Sequence, residues 1–203
     1  MNFNFDSGQA PQTAAPAVLN LKKNDVLDLT KAAPALKNVI LGAGWDVAET
    51  GPSFDLDIAA FLLNAQGRVA NPATDVVFFN QMNQKGIRLE GDNLTGAGEG
   101  DDERIDISLD QIDPSIQRIV FFVTIFEADK KHQTFGMVNN SYVRLLDADN
   151  NEAELCRFEL KENVSTSTAI TFAELYKGDH GWNFKAIGDG SVGDLNTLIS
   201  GYM

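Results

Sequence analysis

The sequence from residue 54 to residue 63 reads FDLDIAAFLL, and its alternation predicts a β-strand. Successive side chains of a strand point to opposite faces, so every second residue from Phe54 to Leu62 lies on one face, and all five are apolar. The opposite face begins with Asp55 and Asp57 and then becomes apolar. The segment is therefore predicted to be buried on both faces. At its N-terminal end, two carboxylates about 7 Å apart are predicted to project from the same face.

Short apolar segments separated by turn residues continue in both directions from this strand. Residues 119–126 form the most apolar run and are rich in β-branched and aromatic side chains, which places them at the centre of a sheet. Alternating segments joined by turns predict hairpins over residues 18–29, 141–160 and 169–187. The fold is therefore predicted to be all-β, a β-sandwich of short, mostly antiparallel strands.

The two ends of the chain differ from this pattern. Residues 1–17 are rich in Asn, Gln, Ala and Pro without an apolar period, and we expect them to form a flexible leader before one domain over residues 18–203. A short amphipathic C-terminal helix is predicted, because apolar residues recur near the end of the chain at helical spacing, at Leu195, Leu198, Ile199 and Tyr202.

The composition of the 203 residues excludes several classes of protein. It is 43% hydrophobic and 22% charged, as in ordinary globular proteins, and no run of about 18 apolar residues could insert into a membrane. The first residues lack the basic and apolar regions of a secretory signal. The single cysteine, Cys156, excludes an intrachain disulfide, so a cytoplasmic location is expected.

The formal net charge of −13 constrains the partners of the protein. Long-range repulsion argues against binding to nucleic acid or to an anionic membrane surface, whereas cations and basic partners are favoured. Much of the acid lies between residues 90 and 113, which hold nine carboxylates and one basic residue, Arg104. Such a run is either a solvated face or a binding site.

Within this run, residues 91–103 read GDNLTGAGEGDDE, and the glycines favour a metal-binding site. Glycine permits turns, so the loop can fold back and bring its two acidic ends together. With Asp55 and Asp57 as a second wall, the loop would gather the oxygen ligands that Ca²⁺ prefers. The other interpretation is that Asp55 and Asp57 are ordinary surface residues at the end of a strand. The loop contributes Asp92, Asn93, Asp101, Asp102 and Glu103.

Other metal chemistries find less support. The turn at residues 147–152 resembles an EF-hand opening, but its sixth position holds a glutamate where the motif requires glycine. His132, His180 and Cys156 lie in unrelated segments. A zinc or copper site is therefore not expected, because such sites need nitrogen or sulfur ligands close together.

An enzyme is the competing class of function. Paired carboxylates serve as acid and base in glycosidases and as ligands in metal-dependent hydrolases. Asp55 with Asp57 or Asp101 could supply such a pair. A hydrolase or glycosidase that uses the same carboxylates therefore stands as the alternative to a binding protein.

Six short motifs occur together between residue 18 and the C-terminus. They are GWD (44–46), FDLD (54–57), GDNLTG (91–96), GEGDDE (98–103), TFG (134–136) and WNFKA (182–186). In combination these motifs resemble the TerD family of bacterial tellurium-resistance and general-stress proteins. The resemblance implies a calcium-binding β-sandwich, without established enzymatic activity, that acts in resistance to tellurite, phage and chemical stress.

The resemblance also implies the ligands of the calcium site and the partners. One departure is Glu127, which stands where the family often has aspartate. We expect a non-enzymatic protein that binds one or more calcium ions and acts as a calcium-dependent interaction module for other stress-response proteins. By match to the motifs, the implied ligands are Asp55, Asp57, Asp92, Asp101, Asp102 and Glu103, with Asn93 and the backbone carbonyl of Gly100 as further candidates.

Overall fold

The computed structural model describes residues 18–47, 54–91, 100–160 and 164–203. In these residues the chain forms two sheets, so the predicted β-sandwich is confirmed. In chain order the strands are β1 Leu19–Leu21, β2 Val26–Asp28, β3 Asn38–Val47, β4 Leu56–Leu63, β5 Val76–Val77, β6 Asn83–Gln84, β7 Ile87–Glu90, β8 Glu103–Ser108, β9 Arg118–Ile125, β10 Val138–Asp147, β11 Ala153–Glu159, β12 Ala169–Gly178 and β13 Gly181–Ser191.

Short helices connect or cover the strands. None of those in the described ranges has the length and apolar character needed to cross a membrane. The helices are α1 Leu29–Ala32, α2 Pro72–Asp75, α3 Ala128–Lys131 and α4 Leu195–Ser200, with one 3-10 turn at Phe135–Met137.

The strand order places the long strands in the middle of each sheet. The seven-stranded sheet has the order β1-β11-β10-β3-β8-β7-β6, and the six-stranded sheet has the order β2-β13-β12-β9-β4-β5. Neighbouring strands are antiparallel except β1, which runs parallel to β11. The predicted hairpins β10–β11 and β12–β13 are confirmed, because both pairings are antiparallel and local.

The predicted hairpin over residues 18–29 is wrong, because β1 and β2 belong to different sheets. The turn itself forms, since the backbone N–H of Lys22 donates to the Asp25 carboxylate at 2.8 Å. However, the N–H of Asn24 donates to the carbonyl of Ala186 in β13 at 2.8 Å, which commits the following strand to the six-stranded sheet. Leu29 then begins α1 instead of ending a strand.

Most of the segment that predicted the fold, residues 56–63, forms β4, and all eight residues of this strand are buried. It pairs with β9 in a register that sets Ile58 opposite Val123. The side chains of Leu56, Ile58, Ala60 and Leu62 join the main core between the sheets, whereas Ala59, Phe61 and Leu63 form a second core on the outer face of the six-stranded sheet.

The C-terminal helix α4 covers part of this outer face, as its apolar spacing predicted. Leu195, Leu198 and Ile199 pack against the second core. The ring of Tyr202 lies edge-on to Phe61 and to Phe122, with centroid distances of 5.7 and 5.8 Å. The outer face of the six-stranded sheet is therefore apolar where α4 covers it.

Candidate metal centre

The acidic loop ends inside the sandwich. Glu103 is the first residue of β8, and its side chain is 2% exposed and faces the other sheet. Its Oε2 atom accepts a hydrogen bond of 2.7 Å from the backbone N–H of Ile58 in β4. Within the described chain, β5 pairs with β4 only at Ala60 and Phe61. The Glu103 carboxylate therefore accepts from a backbone N–H on the part of the β4 edge that β5 does not cover. The end of the loop therefore contacts β4, the strand that carries Asp57, through the backbone of Ile58.

Asp102 lies one residue earlier and is fixed to β3. Its backbone N–H donates to the carbonyl of Ala43 at 2.8 Å, and its Oδ2 accepts from the backbone N–H of Trp45 at 2.8 Å. Burial raises the pKa of the Asp102 carboxyl, and the negative charges of Asp46 and Asp101 raise it further, against the opposing effect of the Trp45 N–H. A cation placed beside Asp102 would stabilise the charged form of this carboxyl.

Asp101 turns to the outer face of the seven-stranded sheet. The Arg144 guanidinium donates to both carboxylate oxygens of Asp101, at 2.7 and 3.0 Å. The hydroxyl of Tyr142 lies 3.1 Å from the same carboxylate and donates to the carbonyl of Gly100 at 2.8 Å. Two of the predicted ligands, the Asp101 carboxylate and the Gly100 carbonyl, are thus held by β10.

Two glycines in β3 make room for this arrangement. A Cβ atom at Gly42 would overlap the Asp101 carboxylate, and one at Gly44 would overlap the ring of Tyr142. Burial and the Asp101 charge raise the pKa of Tyr142 to about 12, so its hydroxyl stays protonated and can donate. The hydrogen bond to Asp101 likewise raises the pKa of Arg144 above its ordinary value.

Asp55 and Asp57, the two aspartates of the predicted second wall, take separate positions. Asp57 lies on the face of β4 opposite to Ile58, is 9% exposed and lines a cavity outside the six-stranded sheet. Asp55 precedes β4, and its carbonyl accepts from the backbone N–H of Phe126 at 2.8 Å. Glu127, the residue that departs from the family pattern, has a left-handed φ of 55° and pairs with Lys130 at 2.6 Å.

The carboxylates of Asp101, Asp102 and Glu103 thus contact three different partners, Arg144, the Trp45 backbone and the Ile58 backbone. Glu103 contacts the backbone next to Asp57, and Asp102 lies beside Glu103, whereas Asp101 points away towards Arg144. Asp92 and Asn93 lie outside the described residues. In the described ranges, no three His, Cys, Asp or Glu side chains form a group that could hold a metal ion. The ligand set therefore stays a prediction.

Other sequence interpretations can be compared with the structure directly. Residues 147–152 span the turn between β10 and β11, and the Asp149 carboxylate accepts from the backbone N–H groups of Lys37 and Asn38 at 2.9 Å. Cys156 is fully buried, and burial raises the pKa of its thiol to about 12, which fits a packing role.

Sequence reasoning missed Tyr142, Arg144 and Gly42. The alternation of β10 places Tyr142 and Arg144 on one face of that strand. This alternation does not indicate that the face contacts Asp101, because Asp101 lies 43 residues before Arg144 in the chain.

Comparisons with known proteins bear on this arrangement. The family model for the TerD domain matches residues 18–202. The chain is 41% identical to the tellurium resistance protein TerD of Serratia marcescens, over 91% of this chain and 96% of that protein. It is 42% identical to general stress protein 16U of Bacillus subtilis (strain 168), with the same coverage. A crystal structure of a homologue of telluride resistance protein from Streptomyces coelicolor A3(2) has 29% identity and a TM-score of 0.67, and the match covers 81% of this chain and 96% of that one.

Proposed function

The chain belongs to the TerD domain family of tellurium-resistance and general-stress proteins, and we propose that it binds calcium and acts without enzymatic activity as a calcium-dependent interaction module. The observation that carries the proposal is the hydrogen bond between Glu103 and the backbone of Ile58. It brings the acidic loop to the strand that carries Asp57. Buried carboxylates at such a junction are costly to desolvate, and a bound cation would offset that cost.

The donor atoms at this junction suit a hard cation. Carboxylate and amide oxygens are the ligands that Ca²⁺ takes in groups of six to eight. Asp102 and Glu103 would provide the loop's contribution, with Asp92 and Asn93 from its other end. Asp55 and Asp57 would provide the contribution of β4.

Asp101 and the carbonyl of Gly100 have a different role in this proposal. Both are held by Tyr142 and Arg144, so either could bind a cation only by giving up those partners. We assign them to the anchoring of the loop's end against the seven-stranded sheet. Anchoring reduces the conformational entropy that the loop would lose when it closes on a cation.

Calcium binding would change the charge of the surface that the acidic loop offers to protein partners. Residues 91–103 carry five carboxylates, and a bound cation would neutralise part of this charge. The surface offered to other stress-response proteins would then differ between the calcium-bound and calcium-free forms.

The enzymatic alternative has less support. A glycosidase needs two carboxylates on either side of one bond, separated by roughly 5 to 10 Å. Asp57 lies outside the six-stranded sheet, whereas Asp101 lies on the outer face of the opposite sheet in an ion pair with Arg144. Asp101 therefore does not share a substrate with Asp57, and Asp55 with Asp57 stays the pair that an enzymatic alternative would use. The relatives named above are described as resistance or stress proteins.

Calorimetric titration of the metal-free protein with Ca²⁺ and with Mg²⁺ tests the proposal. We expect saturable binding of Ca²⁺ with a micromolar or lower Kd and weaker binding of Mg²⁺, which demands a more rigid octahedral site. Replacement of Glu103 by glutamine should weaken calcium binding at least tenfold. Replacement of Glu152 by glutamine, which removes the same charge from an exposed turn, is the matched control. No calcium heat above that of dilution would contradict the proposal.

A further inference from the structure

A cavity of about 610 Å³ lies on the outer face of the six-stranded sheet, beside the start of α4. Its lining includes Asp57 and Ala59 of β4 and Thr124 of β9, which are buried side chains of the sheet itself. Sites for small molecules occupy about 300 to 1,000 Å³, so this cavity has the size of a binding site.

The charges around this cavity are strongly unbalanced. Among the described residues, the cavity is lined by four carboxylates and one ammonium group: Asp57, Glu127, Asp129 and Asp194, and Lys130. Three formal negative charges therefore remain at neutral pH. Because Asp57 is 9% exposed and lies on the apolar sheet, its field is screened less than that of a surface carboxylate.

One wall of the cavity is aromatic. Phe79 stands edge-on to Phe78 and to Phe126, with centroid distances of 5.4 and 6.2 Å. Phe126 is 40% exposed, and the ammonium of Lys131 lies 5.3 Å from the centre of its ring. This cation–π contact indicates that the exposed ring favours positive charge.

The carboxylates are dispersed around the cavity instead of converging. Among the residues that the structure describes, no three acidic, His or Cys side chains could hold one metal ion, and this includes the four that line the cavity. A compact cation would therefore contact few of them. A longer cation with several charged groups would reach more of them and would place its methylene groups on the phenylalanine rings.

We propose that this cavity binds primary or secondary ammonium groups carried on an alkyl chain. A free aliphatic polyamine and the lysine side chains of a basic partner both present this chemistry. The net charge of −13 would attract either ligand over long range. Asp57 is also a predicted calcium ligand, whereas Glu127, Asp129, Asp194 and the phenylalanines are not. The cavity therefore keeps three of its carboxylates if Asp57 binds calcium, and the proposal does not rest on calcium binding.

The outer face of the other sheet does not offer the same chemistry. Its arginines are already paired with its carboxylates: Arg88 with Glu90 and Asp106, and Arg144 with Asp101 and Glu154. An incoming ammonium group would have to displace these ion pairs. The cavity beside α4 is thus the better acceptor of an organic cation.

Calorimetric titration of the calcium-saturated full chain with spermidine at low salt tests the proposal. We expect one site per chain, with weaker binding as salt rises. Asp129→Asn and Phe126→Ala change exposed side chains of the cavity, and each should raise the Kd about three- to fivefold. Asp179→Asn removes the same charge from the exposed β12–β13 turn and should leave the Kd within twofold of the parent value.

A tetralysine peptide in place of spermidine distinguishes the two sources of the ligand. If the peptide binds more tightly and shows the same sensitivity to Asp129→Asn, a basic partner is the ligand; if spermidine binds more tightly, a free polyamine is. Equal weakening by Asp129→Asn and Asp179→Asn, or no spermidine heat in the calcium-saturated or the calcium-free chain, would overturn the proposal. Glu103→Gln should weaken calcium binding and leave spermidine binding intact, which separates this proposal from the preceding one.

Discussion

The guanidinium of Arg144 and the carboxylate of Asp101 form a two-point ion pair, with N–O distances of 2.7 and 3.0 Å. The Asp101 side chain is 2% exposed and that of Arg144 is 24% exposed, so the pair is largely removed from water. Charge-assisted bidentate pairs fix geometry as well as charge. This pair fixes the position of the last part of the acidic loop, immediately before Asp102 and Glu103.

Replacement of Arg144 by methionine should destabilise the fold, because it leaves the buried Asp101 carboxylate without its cation. Removal of one partner from a buried pair costs about 3 to 5 kcal/mol, and we expect about 2 to 3 kcal/mol here because Arg144 is partly exposed. Chemical denaturation measures this change in the free energy of unfolding. Arg88→Met is the control, since Arg88 is 54% exposed and its loss should cost less than about 1 kcal/mol. Equal costs for the two variants would contradict the expectation.

Replacement of Gly42 by alanine should disturb the same ion pair by displacing the Asp101 carboxylate. The new Cβ atom would overlap the Asp101 carboxylate, and overpacking of this kind costs about 1 to 3 kcal/mol. In an Asp101→Ala background the overlapping atoms are absent, so the cost of Gly42→Ala should fall close to zero. A double-mutant cycle on the free energy of unfolding measures this coupling. Additive costs would show that Gly42 is needed for another reason.

The sequence predicted those parts of the fold that depend on local pattern. The alternation in residues 54–63 and the apolar run at 119–126 identified β4 and β9, which are paired neighbours in the six-stranded sheet. The two confirmed hairpins join segments close in the chain. The failed hairpin at residues 18–29 depends on a contact between Asn24 and Ala186, which no local pattern contains.

The sequence proposed which residues compose the candidate site, but it did not predict the directions of their side chains. The end of the glycine-rich acidic loop contacts β4 through the bond between Glu103 and the Ile58 backbone, and its meeting with Asp55 and Asp57 stays a prediction. However, three consecutive acidic residues at the start of a strand point in different directions. Asp101 therefore meets Arg144 outside the sandwich while Glu103 enters it, and a sequence motif does not record this divergence.

Calcium should stabilise the folded protein, and the carboxylates at the junction should decide by how much. A ligand at a hundred times its Kd adds about 2.7 kcal/mol of stability, which corresponds to a rise of about 5 to 10 °C in Tm for a domain of this size. Glu103→Gln keeps an acceptor for the Ile58 N–H but removes the charge, so the variant should fold and lose most of the rise. Thermal unfolding with and without Ca²⁺ measures the effect.

Asp101→Asn provides a second comparison in the same assay. If Asp101 anchors the loop, this variant should lower the Tm with and without calcium while part of the calcium-induced rise remains. If Asp101 is a ligand, the rise should disappear as it does for Glu103→Gln. A full rise in Glu103→Gln would instead exclude Glu103 from the site.

Acid should weaken the contact that Asp75 makes between α2 and the turn after β6. Burial raises the pKa of the Asp75 carboxyl, but hydrogen bonds from Lys85, Thr74 and the Asn71 backbone outweigh burial and leave the pKa below its ordinary value. A carboxyl whose pKa is lowered by folding contributes stability above its unfolded pKa of about 3.9, and this contribution is lost as the pH falls towards the folded value. The advantage of the parent chain over Asp75→Asn in the free energy of unfolding should therefore be constant between pH 7 and 5 and should shrink between pH 4 and 2. Calcium-free denaturation curves across this range measure it, and an advantage that stays constant down to pH 2 would show that the charge of Asp75 does not contribute.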